Sequence, residues 1–261
     1  MRTQLIKLEI INKIMHIKLN NPQNQNTLSE DMIKQVNNAL LKGSKNNHVK
    51  VIVLSSTGTV FCAGHNLKDL NSKRLQKDKG KKYYKKIFKS CSMLMMNIIN
   101  NDKPIIAVID GIATAAGCQL IASCDLAYSS EKAKFATPGV NIGLFCSTPM
   151  VALSRNVGKK AAMEMLLTGD LINAKQALKI GLVNEVFKAK ELMTKVEEIA
   201  YKISEKSMNT LKIGKKAFYK QREMSVKDAY SFTSNVMVNN MMDVDSKEGI
   251  SAFIEKRKPK W

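Results

Sequence analysis

The sequence lacks the features that mark several large classes of protein. No apolar run approaches the ~20 residues that a helix needs to cross a bilayer. Residues 1–20 contain neither the apolar block of a signal peptide nor an Arg/Ser-rich presequence, so we expect a cytoplasmic protein without a membrane partner. Of the 261 residues, 44% are hydrophobic, which is enough for a packed core and argues against disorder.

Cysteine is scarce and is not arranged as in metal or disulfide sites. The five cysteines form an odd set without a CxxC pair or a Cys/His ligand spacing; they are Cys62, Cys91, Cys118, Cys124 and Cys146. The sequence therefore predicts no metal site and indicates buried free thiols in a reducing compartment.

Acidic residues and arginine are also scarce. There are 22 Asp and Glu against 42 Lys and Arg, which gives a net charge of +20, yet only five of the basic residues are Arg. Proteins that grip phosphate in a defined geometry usually rely on Arg, and no aromatic residues are interleaved with the basic ones. Nucleic acid is thus an unlikely partner, although non-specific binding through the Lys-rich surface stays an alternative.

The hydrophobic pattern is that of an α/β protein. Residues 50–58 and 103–111 are predicted to be buried strands, and helical patterns follow them. The Lys-rich block 71–86 is expected to be an exposed, mobile insert. The C-terminal part is mostly helical, with helices predicted over residues 189–206, 207–223, 225–241 and 245–256.

Two stretches end a strand with small residues and then turn into a helix: "FCAGHNLKDL" (61–70) and "IDGIATAAGCQL" (109–120). Small side chains let a ligand approach the backbone closely, and a helix start presents free N–H groups. Two such turns side by side would aim two N–H groups at one oxygen atom, as in an oxyanion hole. The alternative is close packing of a helix against a sheet.

These stretches resemble the crotonase, or enoyl-CoA hydratase/isomerase, superfamily, and the resemblance extends from about residue 5 to the C-terminus. Further markers are "KPIIAVIDGIATAAGCQLIASCDLAYSSEKAKFATPGVNIG" and "EGISAFIEKRKP". The resemblance implies an α/β spiral of ββα units over residues 1–200, which carries an acyl-CoA site. It also implies a helical assembly region over residues 201–261, which builds trimers or dimers of trimers, and no cofactor beyond the CoA of the substrate.

By resemblance, the backbone amides of His65 and Ala116 form an oxyanion hole that stabilises a thioester enolate. The implied substrate-binding residues are Ala63, His65, Asn66, Leu67, Lys68, Ala116, Gly117, Phe253 and Lys256. The chain departs from the family at Asn66, where an Asp is usual. It also departs at residues 115–117, where Ala-Ala-Gly replaces a run that is often three glycines.

The two glutamates that family hydratases use as acid and base are absent. Their positions hold Gln119 and Gly139, neither of which titrates. In this respect the chain is similar to the enoyl-CoA hydratase domain-containing branch of the superfamily. Loss of one such group typically costs ~10²–10⁴-fold in rate, so standard hydratase activity is doubtful. Candidate substitutes near the pocket are the His65 side chain, Asp69, Asn141, Cys146 and Ser147.

Two functional hypotheses follow from the resemblance. In the first, the protein is an enzyme whose oxyanion hole supports chemistry through a thioester enolate, such as isomerisation, decarboxylation or hydrolysis. In the second, it is a non-catalytic acyl-CoA-binding or scaffold protein.

Overall fold

The computed structural model describes residues 4–261, in which ten strands form two sheets. The strands are Ile6–Ile11 (β1), Ile14–Leu19 (β2), Val51–Ser56 (β3), Val60–Cys62 (β4), Ile105–Ile109 (β5), Ile112–Thr114 (β6), Leu126–Ser130 (β7), Lys134–Ala136 (β8), Ile172–Asn173 (β9) and Glu185–Phe187 (β10).

Eleven α-helices surround these sheets within the described residues. They are Glu30–Lys45 (α1), Leu67–Ser72 (α2), Lys81–Ile99 (α3), Ala116–Ser123 (α4), Pro149–Leu153 (α5), Lys159–Thr168 (α6), Ala174–Lys179 (α7), Ala189–Ser204 (α8), Met208–Gln221 (α9), Val226–Met241 (α10) and Val244–Ile254 (α11).

The chain repeats a unit of two strands and a helix. One sheet has the order β1-β2-β3-β5-β7-β10 and the other has the order β4-β6-β8-β9. In β3-β4-α2 and β5-β6-α4 the first strand joins the larger sheet, the second joins the smaller sheet, and a helix follows, whereas both strands of β1-β2-α1 lie in the larger sheet. Apart from the β1–β2 and β8–β9 pairs, neighbouring strands are parallel. This architecture is the predicted α/β spiral of ββα units.

The larger sheet is covered on both faces, which explains its nearly continuous hydrophobic strands. Because side chains alternate along a strand, Val51 and Val53 point to one face of β3 whereas Ile52 and Leu54 point to the other. The first pair packs against α8 in a small cluster with Val196. The second pair lies in the main core, between the sheets and the remaining helices.

Most of the predicted elements are confirmed, and residues 71–86 are mostly exposed, as predicted, whereas their mobility stays a prediction. This block contains the end of α2, a short 3-10 turn over Lys73–Leu75 and the start of α3. The Tyr84 hydroxyl donates a hydrogen bond to the Leu70 carbonyl at 2.9 Å, which ties the two helices together. The many polar residues of this block lie on the solvent-facing side of these helical turns.

The predicted boundary between a core and an assembly region at residue 200 stays a prediction, and residue 200 lies inside α8. Between residues 4 and 261, no helix is both long and apolar enough to span a lipid bilayer.

Helix α9 is fastened to the core by a buried ion pair. Lys215 donates to Asp125 Oδ2 at 2.7 Å, and both side chains are largely buried. Lys215 also donates to the carbonyls of Ile98 and Lys103, while Asp125 accepts from the Tyr219 hydroxyl at 3.0 Å. Asp125 is therefore a structural residue.

Replacing Lys215 with Met removes the cation and leaves the Asp125 carboxylate buried without its charge partner. We expect a loss of about 3 kcal/mol in the free energy of unfolding, measured by urea denaturation. Lys212→Met is the matched control on the same helix, because its ion pair with Asp102 is half exposed and should contribute less than about 1 kcal/mol. Equal losses in the two variants would contradict the structural role of the buried pair.

Candidate active site

The first small-residue turn follows β4 and is held by the segment that precedes α1. The amide of Ala63 donates to the Gln25 carbonyl at 3.1 Å, and the amide of Leu28 donates to the Gly64 carbonyl at 2.7 Å. Gly64 has φ +87°, a left-handed conformation that favours glycine. Backbone hydrogen bonds at Ala63 and Gly64 thus hold the turn that carries His65.

Asn66 begins the short helix α2 as its N-cap. Its Oδ1 accepts from the backbone amides of Lys68 at 3.0 Å and Asp69 at 3.4 Å. An amide oxygen caps a helix about as well as the Asp that is usual in the family, so the exchange preserves the turn and removes a negative charge. Leu67 and Lys68 are exposed beside it.

The second turn joins β6 to α4 through Ala115, which has φ +50° and ψ −117°. This backbone conformation is one that glycine adopts readily and alanine does not. The amide of Ala115 donates to the Ala136 carbonyl of β8 at 2.9 Å, which helps to hold the strained residue in place. Helix α4 then begins at Ala116, which is buried.

The two turns touch, and two glycines make the contact possible. A Cβ on Gly64 would lie 3.2 Å from the Ala116 nitrogen, and a Cβ on Gly117 would lie 2.1 Å from the Cys62 carbonyl oxygen. Any larger residue at Gly117 would therefore push α4 away from β4. Among the residues that the structure describes, no hydrogen-bond acceptor pairs with the backbone N–H of His65 or of Ala116.

The His65 imidazole lies under the turn. Its Nδ1 is 3.1 Å from the Leu28 carbonyl oxygen, and its ring meets Phe88 edge to face at 5.3 Å between centroids. Because a carbonyl only accepts, Nδ1 carries the hydrogen and Nε2 carries the lone pair. Nε2 is buried and has no partner among the described residues. Burial lowers the pKa of His65, so the ring is neutral near pH 7.

Gln119 lies one turn beyond Ala116 in α4 and lines a cavity. This cavity has a volume of about 840 Å³, within the range of ligand sites. Its walls come from α3, α4, α5 and α9, with apolar side chains from Met95, Met96, Ile99, Ala122, Val151 and Ala152. Gln119 is 5% exposed, and its Oε1 is buried without a hydrogen-bond partner among residues 4–261.

Helix α9 supplies the outer, charged side of the cavity, with Lys216, Lys220 and Arg222. Within the described part of the chain, the one carboxylate that lines the cavity is that of Glu223, which pairs with Arg155 at 3.4 Å. The apolar wall around Gln119 therefore contains no acid.

Gly139 is the buried residue of a 3-10 turn, Pro138–Ile142. A Cβ at this position would lie 2.6 Å from the Leu144 carbonyl oxygen and 2.9 Å from Cys146 Sγ. A glutamate would fit only if residues 144–146 moved. The backbone around Gly139 thus leaves no space for the side chain of the acid that is usual at this position.

The other candidate side chains offer little reactivity. Burial raises the pKa of Cys118 to about 12 and also raises the pKa of Cys146, so neither is a thiolate at neutral pH. All five cysteines are buried and free, as predicted. Asn141 and Ser147 are exposed, and Asp69 takes part in the α2 cap through its amide. Residues 4–261 hold no cluster of three or more potential metal ligands.

Phe253 and Lys256 are carried by the C-terminal helices and not by the elements that form the two turns. Phe253 lies on α11, which packs against α9 and α10, and 84% of its surface is exposed. Lys256 follows α11 with φ +55° and is exposed.

Several residues that build the site escaped the sequence analysis. Leu28 and Gln25 hold the first turn by backbone hydrogen bonds, which any side chain can make and which therefore leave no trace in the sequence. Phe88 packs on the His65 ring, a contact between residues 23 positions apart that the sequence does not reveal. Met95 and Ile99 line the cavity, which helical spacing alone does not show.

The two turns, each carried by a ββα unit, and the C-terminal helices define the crotonase fold. Comparison with known proteins identifies the family. The family model described as enoyl-CoA hydratase/isomerase matches residues 9–261. The chain belongs to this family.

Particular relatives are similar over nearly the whole chain. Human enoyl-CoA hydratase domain-containing protein 3, named as mitochondrial, is 46% identical over 95% of this chain and 80% of its own length. The crystal structure of that human protein has a TM-score of 0.94 at 45% identity, covering 99% of this chain and 100% of that one. An enoyl-CoA hydratase from Mycobacterium smegmatis has a TM-score of 0.93 at 43% identity, covering 99% of each chain.

Ala115→Gly should stabilise the protein, because glycine relieves the strain of φ +50° at the start of α4. Such strain costs about 1–3 kcal/mol, and the larger unfolded-state entropy of glycine offsets about 0.5–1 kcal/mol of the gain. We expect a net gain of about 1 kcal/mol in the free energy of unfolding, measured by urea denaturation.

Ala229→Gly, inside α10, is the control, since it lacks this strain and should lose about 1 kcal/mol. A loss at both positions would show that Ala115 is not strained.

Proposed function

We propose that the protein binds an acyl-CoA thioester, with the thioester carbonyl oxygen held between the backbone amides of His65 and Ala116. The observation that carries the proposal is that both amides lack a partner within the described chain and lie on two turns in contact. Preorganised N–H donors of this kind stabilise the negative charge that develops on a carbonyl oxygen when an enolate forms.

The start of α4 supports the same assignment. The first N–H groups of a helix have no intrahelical acceptor, and the helix dipole places partial positive charge there. Ala116 is the first residue of α4 and is buried, so water competes poorly for its amide. A ligand oxygen at this point would receive both the hydrogen bond and the dipole.

The CoA portion has a plausible path across the first turn. Leu67 is 53% exposed and Lys68 is exposed next to it, which offers an apolar contact and a cation to the nucleotide phosphates. We extend the proposal to Phe253 on α11 and to Lys256 just after it, which would reach the nucleotide of a neighbouring subunit.

Assembly into a trimer or a dimer of trimers is part of the proposal. Helix α10 has no buried residue in the single chain. Its exposed apolar side chains are Val226, Tyr230, Met237, Val238 and Met241. An unpartnered apolar surface of this kind is typical of an interface between subunits. The cytoplasmic location expected from the sequence stays a prediction. The name of the human relative, in contrast, describes that protein as mitochondrial.

The chemistry that the site supports best is enolate formation without the acid/base pair of hydratases. Gln119 and Gly139 cannot transfer a proton, and the backbone around Gly139 excludes a larger side chain. The neutral His65 ring is a titratable group on the residue that supplies one amide of the proposed hole. The absence of acids at positions 119 and 139 also favours the second candidate function, in which the protein binds acyl-CoA without turning it over.

Gly64→Ala should weaken acyl-CoA binding, because the added methyl group would lie 3.0 Å from the Ala115 Cβ and 3.2 Å from the Ala116 nitrogen. This change would push the two amides apart. We expect the Kd for butyryl-CoA, measured by isothermal titration calorimetry, to rise by up to ~10-fold, as for the loss of one hydrogen bond to a neutral carbonyl.

Gly58→Ala is the matched control. Gly58 also has a left-handed φ, +81°, and a Cβ there would lie 2.8 Å from Pro22 Cβ, but it lies in the turn between β3 and β4. The control should lose similar stability and keep its affinity. Unchanged binding in Gly64→Ala, or equal loss in both variants, would argue against the proposed hole.

The wild-type protein should hydrate crotonyl-CoA poorly. With both carboxylates replaced, we expect a rate at least ~10⁴-fold below that of an ordinary hydratase, followed by the loss of enoyl absorbance. Gln119→Glu supplies one acid at a position that faces the cavity and should raise the rate. Gly139→Glu is not a suitable second substitution, because its side chain would collide with the Leu144 carbonyl. Turnover of ~10 s⁻¹ or more by the wild type would refute this account of the missing acids.

A further inference from the structure

We propose that the basic segment, residues 73–86, docks the protein on the surface of an anionic lipid bilayer, with the Leu75 side chain entering the headgroup layer. Such a contact is peripheral and needs no helix that spans the membrane. The inference goes beyond the proposed function and does not depend on it, because the segment carries neither of the two amides of the proposed hole.

The basic segment concentrates the positive charge of the chain. Eight of its 14 residues are basic, against 42 of 261 in the whole chain, and its one acid is Asp78. The basic residues are Lys73, Arg74, Lys77, Lys79, Lys81, Lys82, Lys85 and Lys86. All of them except Lys73 are exposed. The segment therefore presents +7 of the net charge of +20 to the solvent.

Two acids near the segment are already engaged with the protein. Asp78 accepts hydrogen bonds from the backbone amides of Gly80 at 3.0 Å and of Lys82 at 2.8 Å, and so caps the start of α3. Glu30 of α1 pairs with Lys86 at 2.8 Å. Within residues 4–261, the other cations of the segment form no ion pair. Most of the positive charge is thus left for an external partner.

Packed helical turns hold the cations together on one part of the surface. The Tyr84 hydroxyl ties α3 to the Leu70 carbonyl of α2, and the Lys73 ammonium lies 5.2 Å from the centroid of the Tyr83 ring. Gly80, with φ +82°, brings the start of α3 against this turn, since a Cβ there would lie 2.8 Å from the Tyr84 hydroxyl. The segment is therefore a shaped surface with a fixed arrangement of charges.

Leu75 is the feature that favours a lipid partner. It is 91% exposed, more than any other large apolar side chain of residues 4–261. It ends the 3-10 turn Lys73–Leu75 beside the exposed Arg74. A bilayer surface can bury an apolar side chain while the neighbouring cations meet lipid phosphates, and peripheral proteins gain affinity from both contributions.

Nucleic acid is the other polyanion that a basic surface attracts, and the segment suits it less well. Only Arg74 among its eight cations has the guanidinium that grips phosphate in a defined geometry. Tyr83 and Tyr84 are partly buried and pack edge to face on each other at 6.2 Å between ring centroids, which is a poor platform for stacked bases. Phosphate binding also gives no role to an exposed leucine.

The test is co-sedimentation of the full chain with vesicles of phosphatidylcholine, either alone or with about 30 mol% phosphatidylserine, at ~0.15 M salt. We expect at least ~20-fold tighter binding to the anionic vesicles. Lys77→Glu/Lys81→Glu should weaken this binding by at least ~20-fold, because each cation near an anionic surface contributes roughly 5-fold. Leu75→Ser should weaken it by about 5-fold through the loss of apolar burial.

Lys188→Glu/Lys190→Glu is the matched control, because it changes the net charge by the same amount. Both lysines are exposed at the start of α8, which packs on the opposite face of the larger sheet from α3. Its affinity for the anionic vesicles should stay within ~3-fold of that of the wild type. Equal weakening by the control would mean that the whole basic chain adsorbs, and it overturns the inference.

Three further results would overturn the inference. The first is a wild type that fails to bind the anionic vesicles, which needs no variant to fold. The second is unchanged binding in Leu75→Ser, which would leave no role for the apolar contact. The third is a Lys77→Glu/Lys81→Glu variant that loses binding to a single-stranded RNA oligomer and keeps its affinity for the vesicles, which would assign the segment to nucleic acid.

Discussion

The candidate site depends on the contact between Gly64 and the start of α4. Two turns from different ββα units meet there without a side chain between them, because Gly64 and Gly117 leave the backbone bare where it touches its neighbours. The strain at Ala115 belongs to the same arrangement, since the chain must leave β6 and enter α4 within one residue. Loss of the contact would leave two unrelated turns and no paired amides.

The side chains around this contact are neutral, although the chain carries a net charge of +20. Burial keeps the thiols protonated and the His65 ring uncharged, and the positions of the two usual acids hold an amide and a glycine. The cations lie farther out on α9, which the pair between Asp125 and Lys215 holds over the cavity. The molecule therefore separates the neutral surroundings of Gln119 from cations on α9.

The sequence predicted the fold well because the strands are buried on both faces and the helices have regular apolar stripes. The two turns were recognisable because small residues at the end of a strand are unusual. Gly139 shows the limit: its exchange for the usual acid was visible in the sequence, but the closure of the backbone around it depends on Leu144 and Cys146. The cavity beside Gln119 was also hidden, because it arises where α9 returns to α3 from more than 100 residues away along the chain.

The most direct measurement is a crystal structure of the protein with bound butyryl-CoA. If the account is correct, the thioester oxygen lies within about 3 Å of both the His65 and the Ala116 backbone nitrogens, the usual length of an N–H···O bond. A thioester bound elsewhere, or a carbonyl oxygen that contacts neither amide, would contradict the central claim.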